Sequence, residues 1–211
     1  MGIYRYTASA DNTITNAFRS NLVGRGTGSN MGAADVLEVF YISGQASSSQ
    51  GLSSEKSRVL INFPFSDIET DRSASVPLVP ASGNVTWHLK MYNARHATTL
   101  PSNFYISVHP LSASWQEGTG LDMEEYTDQT YGIISGSNWI VSSVNSSWTT
   151  QGGDLLDVGD PSNTGVSYFS DGTEDIEIDV TAMVERFLHD SGSGLGRYGF
   201  IVKLSGSYSR S

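Results

Sequence analysis

Apolar residues recur along this chain in short bursts rather than in long runs. Val85–Met91 alternates cleanly, with Trp87, Leu89 and Met91 on one face and His88 and Lys90 on the other. That period of two is what a half-buried strand requires. Phe104–Val108 repeats it with Phe104, Ile106 and Val108, and Asp175–Val180 repeats it with Ile176, Ile178 and Val180. Ala34–Ile42 places Val36, Glu38 and Phe40 on one face and Leu37, Val39 and Tyr41 on the other. Ser57–Phe65 is apolar on both faces, which predicts a central strand covered from two sides. Thr13–Phe18 and Arg197–Leu204 complete the predicted strands.

One segment breaks the alternation. Thr181–His189 carries Val184, Phe187 and Leu188 at helical spacing, and either Asp179 or Thr181 can cap its first turn. A helix this short is marginal alone, so it is expected to pack on the sheets. Ser43–Ser54 and Ser191–Gly196 are rich in Ser and Gly and read as loops. The pattern predicts an all-β fold: an antiparallel, jelly-roll-like β-sandwich over residues 1–211 as one domain, with one short helix near residues 181–189.

Composition supports that class and narrows the function. Of 211 residues only 16% are charged, 22 are Gly and none is Cys, and about one in six is Ser, a turn-rich balance. Absent cysteine removes disulfides, thiolate metal sites and thiol nucleophiles. Lys and Arg number 12 against 22 Asp and Glu, a net charge of −10. That argues against nucleic-acid and anionic-membrane partners, which need concentrated positive charge. No apolar run is long enough to span a bilayer, and MGIYRYTASA has no apolar signal core.

Most catalytic patterns fail. The chain contains no G-x-S-x-G, H-E-x-x-H or P-loop. Gly24–Gly32 is glycine-rich but lacks a phosphate-reaching lysine, and reads as turns. His88, His96, His109 and His189 are not paired at metal-ligand spacing and read as ordinary hydrogen-bonded or exposed histidines. The stretch from Trp115 to Asp128 carries five carboxylates in twelve residues from Glu117 onward. Three readings stand there: a solvated loop, a catalytic pair, or a calcium loop with Glu117, Asp122 and Glu124 as oxygen donors. A second acidic turn holds Asp154, Asp157 and Asp160. Trp115, Trp139 and Trp148 lie in or beside loops, where tryptophan either anchors the loop or stacks on a sugar. Asn84 and Asn145 sit in N-x-[ST] acceptor patterns.

Several short motifs occur in a joint order. Thr27–Gly32 reads T-G-S-N-M-G, and Ser57–Phe63 reads S-R-V-L-I-N-F. Trp115 opens W-x-E-G-x-G, Trp148 opens W-x-x-x-G-G-D ending at Asp154, and Asp179-Val180-Thr181 precedes the helix. Tyr198-Gly199-Phe200 follows. This order resembles the DNRLRE-type domain, which is similar to carbohydrate-binding module family 96. The resemblance implies a non-catalytic β-sandwich. In it Trp115 and Trp148 anchor a long loop, Gly152 and Gly153 turn the chain before Asp154, and Asp179 and Thr181 cap the helix. It also implies one of two settings. The first is a tailed-phage virion, as a capsid decoration, vertex or neck component that forms homo-oligomers and contacts other virion proteins such as the major capsid protein. The second is a carbohydrate-binding module of a polysaccharide-active or surface protein, in which a structural Ca²⁺ is common. A start at Met1 without a signal core favours the virion. Domains of this type continue past the Tyr198–Leu204 strand into a further basic and aromatic strand, a departure here.

Overall fold

The computed structural model describes residues 2–19, 23–47, 51–95, 100–121, 136–157, 159–189 and 196–205. The strands are β1 (Ala10–Thr15), β2 (Tyr41–Ser47), β3 (Gly51–Asn62), β4 (His88–Met91), β5 (Phe104–Pro110), β6 (Val141–Ser143), β7 (Ser146–Ser147), β8 (Gly165–Phe169), β9 (Ile176–Asp179) and β10 (Phe200–Leu204). The helices are α1 (Phe65–Ser73) and α2 (Thr181–His189), with a 3₁₀ turn at Pro161–Asn163. Every strand pair is antiparallel among the described residues.

The central sheet runs in the order β1-β3-β10-β5-β8, and β2 pairs with the first half of β3. Alternation sends its side chains to two different cores. Val59, Ile61, Ile106, Val108, Phe200 and Val202 enter the larger core, where β9, α1 and α2 supply Ile176, Ile178, Phe65, Ile68, Val184 and Phe187. Leu60 and Ile201, one residue out of phase, enter a smaller core with Ile14, Leu111, Trp139 and Trp148. The two-stranded ribbon β4–β9 and both helices therefore cover one face. The described residues between β5 and β8, with the β6–β7 hairpin, cover part of the other.

Helix α2 starts where expected. The Asp179 carboxylate accepts the Thr181 N–H at 2.8 Å, which satisfies one of the free donors of the first turn. Phe187 packs against Phe65 at 5.0 Å and Phe200 at 5.6 Å between ring centroids. Aromatic pairs of this kind add about 1 kcal/mol each beyond area burial.

Three expectations need correction. The chain holds a second helix, α1, where Phe65 was expected to end a strand. Only Phe65 and Ile68 of α1 are buried, so it carries almost no amphipathic signal. The sequence cues are Pro64 at its start and Asp67 in its first turn. Ala34–Phe40 forms no ladder, although its phase is as read: Leu37 and Val39 pack on the larger core. Hydroxyls replace strand partners there, since the Glu38 N–H donates to Thr13 Oγ1 at 3.1 Å and the Phe40 N–H to Ser57 Oγ at 2.8 Å. Within Ser43–Ser54, expected as a loop, Ser43–Ser47 and Gly51–Ser54 pair instead as parts of β2 and β3. A ladder needs backbone groups rather than apolar side chains, so composition hid it.

Candidate functional site

The covered part of the sheet's second face is assembled from the motifs singled out in the sequence. Asn30 joins two of them. Its Nδ2 donates to the carbonyl oxygens of Glu117 and Ser137 at 2.6 and 2.7 Å, and its Oδ1 accepts the N–H groups of Gly32 and Gly120 at 3.1 and 2.9 Å. Asn12 adds a second layer, donating to Ser137 and accepting the Met31 N–H. The two glycines are needed because the backbones touch. A Cβ on Gly120 would lie 1.9 Å from the Asn30 carbonyl oxygen, and one on Gly32 2.3 Å from that of Glu117. Glycine here permits close approach of two loops.

The loop tryptophans are internal. Trp139 and Trp148 are each only 5% exposed. Trp148 Nε1 donates to the Asn138 carbonyl at 2.8 Å, and Trp115 Nε1, half-buried, donates to the Tyr198 carbonyl at 2.9 Å. Gly152 and Gly153 turn the chain with positive φ, and the Asp154 carboxylate accepts the Thr149 and Thr150 N–H groups at 2.9 and 2.6 Å. Arg58 pins this loop from the sheet, donating to the Gly152 carbonyl at 2.6 Å. Beside it lies an open cavity of about 470 Å³ lined by Arg58, Ser112, Thr149, Thr150 and Asp154 among others.

Of the expected calcium donors, Glu117 accepts the Asp11 N–H at 2.9 Å, while Asp122 and Glu124 lie outside the described residues. No group of three metal-ligating side chains occurs among the described residues. The second acidic turn is used internally. Asp157 pairs with Arg186 at 2.8 Å, and Asp160 caps the 3₁₀ turn through the Ser162 N–H. His88 is exposed and His96 lies outside the described residues. Asn84 and Asn145 are both exposed.

The uncovered part of the same face was not anticipated. The register aligns Lys203, Ser107 and Val166 across β10, β5 and β8, and Arg58 stands next to Val59, which pairs with Val202 at the end of the β3–β10 ladder. Lys56 precedes Arg58 by two residues on β3, and the paired Tyr105 and Tyr168 close the face at the far edge. Tyr105, Tyr168 and Val166 are 42%, 48% and 52% exposed, and the two tyrosine rings lie 5.0 Å apart. Lys56, Arg58 and Lys203 make no ion pair among the described residues. Burial lowers the pKa of each; Arg58 depresses both lysines further, and Lys56 depresses Lys203. His109 sits on this face under Thr164, whose Oγ1 lies 3.3 Å from Nδ1. Burial, with Lys203 and Arg58 nearby, pushes its pKa down to about 4, so it is neutral at pH 7. In one-dimensional order Lys203 lies far from Lys56 and Arg58, and only the sheet brings the three to one face.

No family model, curated protein or solved structure matches this chain. No helix among the described residues is long and apolar enough to cross a membrane.

Proposed function

We propose that this protein is a non-enzymatic structural component of an assembly, acting through protein–protein contacts, of the kind its motif order suggests for tailed-phage virions: a capsid decoration, vertex or neck subunit. The observation that carries this reading is the fate of the tryptophans. Trp139 and Trp148 are closed inside the smaller core, so they offer no platform for a sugar ring. They make the segment around them a packed part of the body instead. What stays exposed on the sheet is Tyr105, Tyr168 and Val166, bordered by the half-buried Lys56, Arg58 and Lys203. Tyrosine and arginine are enriched in protein interfaces.

The test is direct. Particle fractions from an infected host, purified by density gradient, are expected to contain the chain at fixed stoichiometry by quantitative mass spectrometry. Its absence from particles would sink the virion reading.

A second reading rests on Tyr105 and Tyr168, whose exposed paired rings offer apolar faces to a glycan. Under it the protein is a carbohydrate-binding module. Retention on an immobilised polysaccharide, lost in Tyr105→Ala or Tyr168→Ala, would support it.

A further inference from the structure

Two patches of opposite charge lie on opposite sides of the central sheet. On the outside of the β4–β9 ribbon, facing away from the central sheet, Asp175, Glu177 and Asp179 are all exposed, with Ile176 and Ile178 between them turned into the core. The flanking strand sets His88 opposite Asp179 and Lys90 opposite Glu177. Three carboxylates therefore face one lysine. The opposite side of the molecule carries Lys56, Arg58 and Lys203 beside Tyr105, Tyr168 and Val166.

These two surfaces match in spacing as well as in sign. Lys56 and Arg58 are two residues apart on one strand, as are Asp175 and Glu177, and Glu177 and Asp179. Side chains at that separation repeat at about 6.8 Å along a strand. Four cations elsewhere are ion-paired within the chain: Arg72 with Glu185, Lys90 with Glu177, Arg186 with Asp157 and Arg197 with Glu69. Lys56 and Lys203 have no ion pair among the described residues, while Arg58 beside them is held by the Gly152 carbonyl and the Trp139 ring; Arg58 depresses both lysines, and Lys56 depresses Lys203. An arriving carboxylate relieves that repulsion. The acidic ribbon also ends beside an aromatic group, since Tyr92 is 69% exposed and Lys90 Nζ lies 5.9 Å over its ring.

Resting on the assembly reading above, we infer that copies of this chain stack face to back, the Lys56–Arg58–Lys203 face of one copy receiving the Asp175–Glu177–Asp179 face of the next. Two different surfaces meet in such a contact, so it is heterologous. Repetition closes into a ring or extends into a filament rather than ending at a two-fold dimer.

The experiment is sedimentation velocity of the full chain across a concentration series, in low salt and in about 1 M salt, where the screening length falls to about 3 Å. Association in low salt that disappears in high salt is expected. Lys203→Glu and Glu177→Lys are each expected to weaken it about tenfold or more, and the double variant to recover most of it, because like charges are juxtaposed in the singles and opposite charges again in the double. Lys203→Gln, with its fold checked by circular dichroism, should give a smaller loss. Three results would overturn the contact. One is a wild type that stays monomeric at low salt. Another is an oligomer indifferent to both single charge reversals. The third is a monomer held on immobilised acidic polysaccharide and released by Lys203→Glu, which would assign the face to a glycan. An oligomer indifferent to these changes leaves the assembly reading standing, whereas absence from particles removes that reading and leaves the contact intact.

Discussion

The guanidinium of Arg58 lies 4.9 Å over the ring of Trp139 while one of its nitrogens holds the Gly152 carbonyl at 2.6 Å. One side chain from the central sheet thus clamps the loop that closes the smaller core. A half-buried cation–π contact contributes about 1 kcal/mol, and a charged hydrogen bond to a carbonyl about 1.5–3 kcal/mol. Relief of repulsion with Lys203 offsets part of this. Arg58→Ala is expected to lower stability by about 2 kcal/mol in urea denaturation. Arg58→Lys should recover little of it, since an ammonium lacks the planar fork. Equal stability of wild type and Arg58→Ala would show that the loop holds without the clamp.

Glu185 joins three elements. It accepts from both terminal nitrogens of Arg72 at 2.9 and 2.6 Å and from Trp87 Nε1 at 2.8 Å. Burial raises its pKa, but the bonds from Arg72 and Trp87 outweigh that and hold the carboxyl below its usual range. The side chains of Arg72 and Glu185 are 19% and 15% exposed, so solvent screens this pair less than a surface pair. A double-mutant cycle with Arg72→Ala and Glu185→Ala is expected to give a coupling of about 1–3 kcal/mol. A coupling near zero would place the pair among ordinary surface contacts.

Gly199 has a φ of +78°, and a Cβ there would stand 2.2 Å from the Ile61 carbonyl oxygen. That atom belongs to the β3–β10 ladder, where Phe200 pairs with Ile61, and cannot retreat without breaking the register. Gly199→Ala therefore combines a left-handed backbone with a backbone clash, and a loss of about 3 kcal/mol or more is expected. Thermal unfolding within a degree or two of wild type would contradict this.

His109 predicts how stability depends on acid. Its folded pKa of about 4 lies below the ordinary 6.5, so between those values the unfolded chain binds a proton that the folded chain excludes. Its contribution is constant above about pH 6.5. As pH falls towards 4 it costs stability at about 1.4 kcal/mol per pH unit, up to about 3 kcal/mol in all. Below pH 4 both states are protonated and the slope ends. Urea midpoints between pH 7 and 4.5 should drop in the wild type and drop much less in His109→Gln. Parallel curves for the two proteins would remove His109 as the cause.

What could be read from the sequence was whatever a strand or helix writes into its own neighbours. The all-β antiparallel class was legible, as were α2 with its buried Val184, Phe187 and Leu188, and the alternation of Leu89, Ile106 and Ile178. Each depends on the side-chain period, which is a local property. The in-and-out phase of Leu37 and Val39 was legible for the same reason, even though Ala34–Phe40 found hydroxyl partners instead of a ladder. Tertiary structure decided everything that depends on which strand lies beside which. It paired the Ser-rich β2 with β3, because backbone groups pair without regard to composition. It folded Trp139 and Trp148 inward, because the uncovered Leu60, Leu111 and Ile201 needed a lid. It brought Lys56, Arg58, Lys203 and Tyr168 onto one face, although they are spread over more than half the chain. Register sums contributions from distant segments, and no local pattern encodes that sum.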